Sequence, residues 1–516
     1  MVARGGLGDA SSHSHPPNSK PFVALVKWAG VTDHFGQTPR RGDAMTQIPK
    51  PTGHVVLASA DSESYRSLRR KPMPRAERIK LGRSLRDQVP RSVLGDWKAP
   101  ANRPDPIELI KRSHEGRLEA LIPIRVGRML ASPYGFLRGT AVVMAWDVAQ
   151  LPATGITPVV CGDAHLGNFG FYASPERDLV IDLNDFDEAH PGAWEWDLRR
   201  LTASIWVAGR RNGASEAQCR DAVAACVADY RKELCFLADQ PLLLRSYLRL
   251  DVDHLHETTT GKSLRGEIER AAKQARQRIS DRALPRFTAD SGGRRHIVDE
   301  PPLITHVSKA ATQRIAKGLD AYLDTLAPHW RRVLGGYTLL DIAHKVVGVG
   351  SVGLRAYVAL LEGSCADDVV FLQLKQARRS VLAPFIHGRS AWHAHQGQRV
   401  VEYQQALQTV SDPLLGWTTI DGLQYYVRQF RNMKGTVSLD AIDAAALADY
   451  AGIVGHLLAK GHARTSGASM ISGYVGDSDK LDEALCRFAR AYADQTEADY
   501  EALVKAVARG ALPVER

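Results

Sequence analysis

The chain has 516 residues, 44% hydrophobic and 24% charged, with a formal net charge of +10. That length exceeds one ordinary hydrophobic core, so two or three structural units are expected. The charge comes from Lys and Arg spread along the chain, with only short clusters such as Arg69-Arg70-Lys71, and no nucleic-acid-binding motif accompanies it. Attraction for a polyphosphate substrate is therefore the favoured reading over a nucleic-acid partner.

Residues 1–75 are rich in Gly, Pro, Ser and His and read as mostly disordered, with Met45 an alternative point of initiation. The opening MVARGGLGDASSHSHPPNSK has no apolar signal-peptide core, and no stretch reaches the roughly 20 apolar residues of a membrane span. A cytoplasmic protein without a membrane partner is expected. Cys161, Cys219, Cys226, Cys235, Cys365 and Cys486 form no CxxC pair, which argues against a disulfide framework or structural zinc. Cys219 and Cys226 are expected to share a buried helix face.

From residue 76 to about 335 the pattern is mainly helical. AERIKLGRSLRDQVP and IELIKRSHEGRLEALIPIRVGRML place apolar residues three and four apart. Within this portion, TPVVCGDAHLGNFGFY carries a short apolar run ending at Gly162. ERDLVIDLNDFDEAHPGAWEWDLRRL reads as a strand, an acidic turn and a helix. Residues 336–437 change texture. HKVVGVGSVGLRAYVALLEG, DDVVFLQLKQ and DGLQYYVRQFRN read as strands and QGQRVVEYQQALQTV as a helix. Residues 438–516 return to helices, DYAGIVGHLLAKGHAR among them.

The chemistry concentrates in two places. Asp163, Asn168, Asp182, Asn184, Asp185 and Asp187 lie close together along the chain, behind apolar strands. Magnesium wants hard oxygen ligands, typically one or two carboxylates plus phosphates and water. Phosphoryl transfer also needs a carboxylate to orient or deprotonate the attacking hydroxyl. Polar turn-building accounts for one Asp-x-x-x-x-Asn but poorly for the whole arrangement. The second place is Gly348-Val349-Gly350-Ser351-Val352-Gly353, a GxGxxG between two strands rather than before a helix, as in a kinase phosphate-covering loop. Gly348, Gly350, Ser351 and Gly353 are its expected phosphate contacts. Lys375, on the following strand, is the expected phosphate cation, with Glu402 on the next helix as its partner.

The string GDAHLGN resembles the HGDxHxGN catalytic loop of aminoglycoside phosphotransferases and choline kinases, and DFDEAHPGAWEWDL resembles their metal-binding segment. The resemblance implies that Asp163 is the catalytic Asp and Asn168 and Asp185 are magnesium ligands. It implies that His165 holds the loop and that Asp197 opens the next helix in a structural role. Cys161 stands where a His is usual, and Asp182 is an extra acid that competes for the metal assignment. RVGRMLASPYGFLRG, CGDAHLGNFG, the FDEAHPGAWEWDLRRL run, VGVGSVGLRAY and YVRQFRNMKG together resemble the bacterial domain-of-unknown-function 2252 family over roughly residues 65–505.

These readings lead to an α+β, protein-kinase-like two-lobed fold with a large helical portion, expected to be circularly permuted because the catalytic loop precedes the glycine loop; an unpermuted fold with its small lobe in residues 76–158 is the alternative. The expected function is phosphotransfer from ATP with magnesium to an acceptor that the sequence does not name. Nucleotidyl transfer from the same site, a nucleotide-binding pseudokinase, and a metal-dependent hydrolase built on Asp163, His165, Asp182, Asp185 and Asp187 are the alternatives. Arg125, Arg128 and Arg138 are candidate substrate-anion contacts. His462 and Arg464 read as packing or capping groups, and Trp194 and Trp196 as packing beside the site.

Overall fold

The computed structural model describes residues 73–515, apart from 254, 256–258, 260, 280–286, 292–293, 347, 387–392 and 466. The N-terminal segment expected to be disordered lies, up to residue 72, outside the described residues. No helix among the described residues is long and apolar enough to cross a membrane.

The largest core is helical. Trp194–Arg211 is buried on nearly every face, because helices Glu216–Asp239, Ala444–Arg464 and Lys480–Ala508 pack around it. Trp194, Leu198, Leu201, Tyr230, Leu457, Tyr474 and Phe488 fill the space between them. The helix starts are set locally. Ser215 and Gln218 form a reciprocal capping box, and the Asp443 carboxylate accepts from Ala446 N at 2.8 Å; each satisfies N–H groups the first turn leaves free. Cys219 and Cys226 are both buried in this core, and all six cysteines are free thiols.

The strands are β1 (Val159–Val160), β2 (Phe169–Ala173), β3 (Leu179–Leu183), β4 (His190–Pro191), β5 (Thr288–Ser291), β6 (Arg294–Ile297), β7 (Ile304–His306), β8 (Thr338–Lys345), β9 (Ala356–Glu362), β10 (Val369–Gln376), β11 (Gly416–Ile420) and β12 (Leu423–Gln429). β7 to β12 form one antiparallel sheet in the order β11-β12-β10-β9-β8-β7. Side chains alternate across it. Leu372, Leu374, Tyr425 and Val427 pack beneath Ile315, Leu319 and Tyr322 of helix Lys309–Leu323. Val358, Leu360 and Phe371 pack with Ile297 and Ile304 on the other face.

The α+β class is as the sequence indicates. The sheet portion, however, begins near residue 288 rather than 336. β5 and β6 pair antiparallel as a separate two-stranded sheet, β7 joins the edge of the large sheet, and helices Lys309–Leu323 and Pro328–Leu334 cover one face of it. These strands are short and mostly polar (RRHI, ITH), so they lack the apolar alternation that marks a strand in sequence.

Two small ladders position the polar residues. β2 pairs with β3 so that Phe169 faces Leu183, and Asn184 N donates to Asn168 O at 2.9 Å. β1 pairs with β4, with Val160 opposite His190. Residues 161–168 and 184–189 are thus pinned at both ends and run side by side.

Candidate active site

The Asp163 loop is held by buried polar contacts. Asp197, in the first turn of helix Trp194–Arg211, accepts from Cys161 N at 2.6 Å and Gly162 N at 2.8 Å. Behind it, His462 Nε2 lies 3.3 Å from Asp197 Oδ2, and His462 Nδ1 lies 2.9 Å from the Tyr230 hydroxyl. Gly162 has φ +79°, and a Cβ there would press into the Glu188 carbonyl. Only glycine fits both demands.

His165 holds the loop: its Nδ1 accepts from Gly167 N at 3.1 Å, and Leu166 N donates to Ser204 Oγ at 2.8 Å. Burial, with Arg138 and Arg200 nearby, drives the His165 pKa well down, so the ring is neutral. Asn168 donates Nδ2 to Asp163 O at 2.7 Å. That bond orients the amide and leaves its oxygen available as a ligand.

Asp163 itself is paired with the Arg200 guanidinium, which also donates to Leu137 O at 2.9 Å. Burial outweighs this partner and pushes the Asp163 carboxyl up to about 6. A carboxyl in that range is suited to accept a proton near neutral pH.

The acidic turn meets the glycine hairpin. Lys375 Nζ lies 3.8 Å from Asp185 Oδ1 and is in direct contact with Asp187 Oδ2. Ser351 donates its hydroxyl to Asp187 Oδ2 at 3.3 Å, and the Tyr426 hydroxyl donates to Asp187 Oδ1 at 3.0 Å. Register explains the convergence: Lys375 is opposite Tyr426 on β12 and Ala356 on β9. Although burial works against it, Lys375 holds the Asp187 carboxyl below its usual range. Asp185 is the more open of the two acids, its side chain 40% exposed against 22% for Asp187.

The glycine loop joins β8 to β9, as a phosphate-covering hairpin requires. Gly348 and Gly353 have positive φ. Its backbone is fastened to the helical portion: Arg128 donates to Gly348 O, Arg117 Nη1 to Val352 O at 2.5 Å, and Leu118 N to Gly353 O at 2.8 Å.

Two sequence-derived assignments differ from the geometry. Asp182 is 2% exposed. Its carboxylate accepts from Leu183 N at 2.9 Å and Thr409 N at 3.2 Å, so it fixes β3 instead of sharing a metal with Asp185. Strand alternation accounts for this, because Asp182 lies within β3 while Asp185 and Asp187 lie beyond its end. Glu402 accepts from Gln398 Nε2 at 2.7 Å, while the ion pairs of Lys375 go to Asp185 and Asp187. The residue of that helix (Gln396–Leu407) that reaches the site is Arg399. It donates to Asp187 O at 2.7 Å, Arg378 O at 2.9 Å and Ala189 O at 2.5 Å.

The remaining expectations sort as follows. Arg464 donates to Ala406 O at 3.1 Å and Ser246 O at 2.7 Å, a packing role. Trp194 stacks on Tyr230 with ring centroids 6.0 Å apart. Sequence reasoning missed Arg200, Tyr426 and Arg399, which carry no local signature. Among the described residues, no group of three or more His, Cys, Asp or Glu is arranged to hold a metal ion. A donor set of Asn168 with Asp185 fits a cation that takes few protein ligands and completes its shell with phosphate and water, as magnesium does.

A family profile described as uncharacterised protein conserved in bacteria, DUF2252, matches residues 117–506. The chain belongs to the DUF2252 family. No curated protein and no solved structure matches it. The matched span in this DUF2252 chain takes in Asp163, the acidic turn, the glycine hairpin, Lys375 and helix Ala444–Arg464.

Proposed function

We propose that this protein is a kinase-like phosphotransferase that uses ATP and magnesium, built on a circularly permuted kinase fold. The observation that carries the proposal is the 3.8 Å approach of Lys375 Nζ to Asp185, which brings the glycine hairpin and the acidic turn to one place. The order of parts in the sheet supports it: glycine loop between two strands, lysine on the third, then a helix. The permutation has its own support. Helix Ala444–Arg464 ends beside the start of the Asp163 loop, where Val159 N donates to Thr465 Oγ1 at 3.0 Å. A chain running directly from 465 into 159 would have the ordinary kinase order.

In this reading Asp163 orients the acceptor hydroxyl or amine and takes its proton, and Arg200 keeps that carboxylate fixed. Asn168 and Asp185 hold magnesium, which neutralises charge on the phosphate oxygens when bound. Lys375, with Arg428 near Asp185, lines the phosphate path with positive charge. Backbone groups of the Gly348–Gly353 loop cover the phosphates. The test is incubation with labelled ATP and magnesium against a metabolite extract. Label transfer that disappears with Asp163→Ala supports the proposal, and equal transfer by that variant refutes it.

A second reading, a nucleotide-binding pseudokinase, is favoured by one observation. Lys375 is engaged by Asp187 and Asp163 by Arg200, so two groups needed for transfer are occupied by partners within the protein. Thermal stabilisation by ATP with magnesium, without any label transfer, would select it.

A further inference from the structure

Beneath the glycine hairpin lies a group of cations that the reading above leaves unused. Helix Pro106–His114 ends there. Arg117 Nε donates to Ser113 O at 2.8 Å, and Arg378 Nη1 donates to the same oxygen at 3.3 Å. Two guanidinium groups therefore meet on one carbonyl. Arg117 also reaches Val352 O in the hairpin, and a Cβ added at Gly353 would sit 3.0 Å from Arg117 Cβ. Arg125 is 2% exposed and spends only Nη2, on Gly139 O at 2.7 Å. Its Nε and Nη1 are buried without a partner, as is Nε2 of His114.

Like charges are not gathered without compensation unless something offsets their repulsion and desolvation. Among the described residues, Arg117, Arg125 and Arg378 make no ion pair. Asp187 and Glu188 attract Arg117 through space, but their polar contacts go elsewhere: Asp187 to Lys375, Tyr426 and Ser351, and Glu188 to Val381 N at 2.7 Å. Burial, with the neighbouring arginines, lowers Arg125 well below its usual range and takes Arg117 down to about 10 and His114 to about 4. A bland account exists: carbonyls at a helix C-terminus attract cations. It explains one N–H from each of Arg117 and Arg378. It leaves the idle donors of Arg125 and His114 unexplained.

We propose that Arg117, Arg125 and Arg378, with His114 beside them, form a subsite for one oxyanion group, a phosphate or a carboxylate, against the glycine hairpin. Guanidinium groups suit this, because paired N–H donors match the oxygens of such groups. Assigning that anion to a substrate rests on the phosphotransfer reading; the subsite itself does not. The oxyanion has two sources, an anionic acceptor or the nucleotide's own phosphates.

The test is calorimetric titration of the full chain with inorganic phosphate, and with ATP and magnesium in the presence and absence of phosphate. Arg125→Gln and Arg378→Gln should each weaken phosphate binding roughly tenfold or more, from loss of a charge-assisted bond. Arg332→Gln, at an exposed position of helix Pro328–Leu334, should leave it unchanged. Circular dichroism melting establishes that the variants fold, and the half-buried Arg378 serves if Arg125→Gln does not. Phosphate bound alongside ATP assigns the subsite to an acceptor, and competition assigns it to the nucleotide; both outcomes support it. No binding by the wild-type chain, or undiminished binding by the folded variants, overturns the subsite. Phosphate binding without ATP binding instead removes the phosphotransfer reading and leaves the subsite standing.

Discussion

Replacing Arg200 with Gln isolates what sets the protonation of Asp163. In the native protein, burial pushes this carboxyl up to about 6 while Arg200 pulls it down. Arg200 is 3% exposed and makes direct contact with Asp163 Oδ1, so its charge is little screened. An opposite charge at such a distance moves a carboxyl pKa by about 1–3. Removing it should carry Asp163 from about 6 to roughly 7–9, so that the acid is largely protonated at neutral pH. Carbon-13 NMR of Asp-labelled protein follows the carboxyl directly, with the Asp163→Asn spectrum assigning the resonance. Stability gives an independent readout with a definite sign. A carboxyl raised in the folded state binds protons more tightly there than in the unfolded chain. Its contribution to stability is therefore full below the unfolded value near 4 and declines as pH rises through about 6. A rise from near 4 to about 6 corresponds to roughly 3 kcal/mol, an upper bound for a side chain 20% exposed. Asp163→Asn should flatten that pH dependence, and Arg200→Gln should extend the decline to higher pH. An inflection that stays at about 6 in Arg200→Gln, or moves down, would show that Arg200 does not govern this carboxyl.

Gly162→Ala should cost about 2 kcal/mol or more, from a left-handed backbone and crowding of the Glu188 carbonyl, as measured by urea unfolding. Asp197→Asn weakens two backbone contacts and the approach of His462; a loss of about 2–3 kcal/mol in the same assay is expected, because these groups are buried. Lys375→Met should abolish the rise in Tm produced by ATP with magnesium. An unchanged rise in that variant would remove Lys375 from nucleotide binding.

The glycine hairpin, β9, β10 and helix Gln396–Leu407 were legible because each depends on local spacing: glycines between β-branched runs, then a 3.6-residue period. The Asp163 loop and the acidic turn were legible as polar clusters behind apolar strands. Their convergence with Lys375 was expected only through the kinase resemblance, since nothing local links positions so far apart along the chain. Arg200 and Arg399 show what remained hidden. Both are buried arginines on helices whose patterns give no reason to single them out, and their partners come from distant segments. Asp182 shows the opposite error: its neighbours in sequence suggested a ligand, while β3 turns it toward Leu183 and Thr409 amides. Glu402 fails for a related reason, because the residue type fits a known pairing but Asp187 reaches Lys375.

The guanidinium of Arg399 grips carbonyls from Asp187, Ala189 and Arg378 together. One planar group fastened at three points behaves as a rivet, and it fixes the Asp187 segment to the β10 end of the sheet. The same segment runs beside the Asp163 loop, where Asn184 N donates to Asn168 O, so the rivet ties both acidic stretches to that end of the sheet.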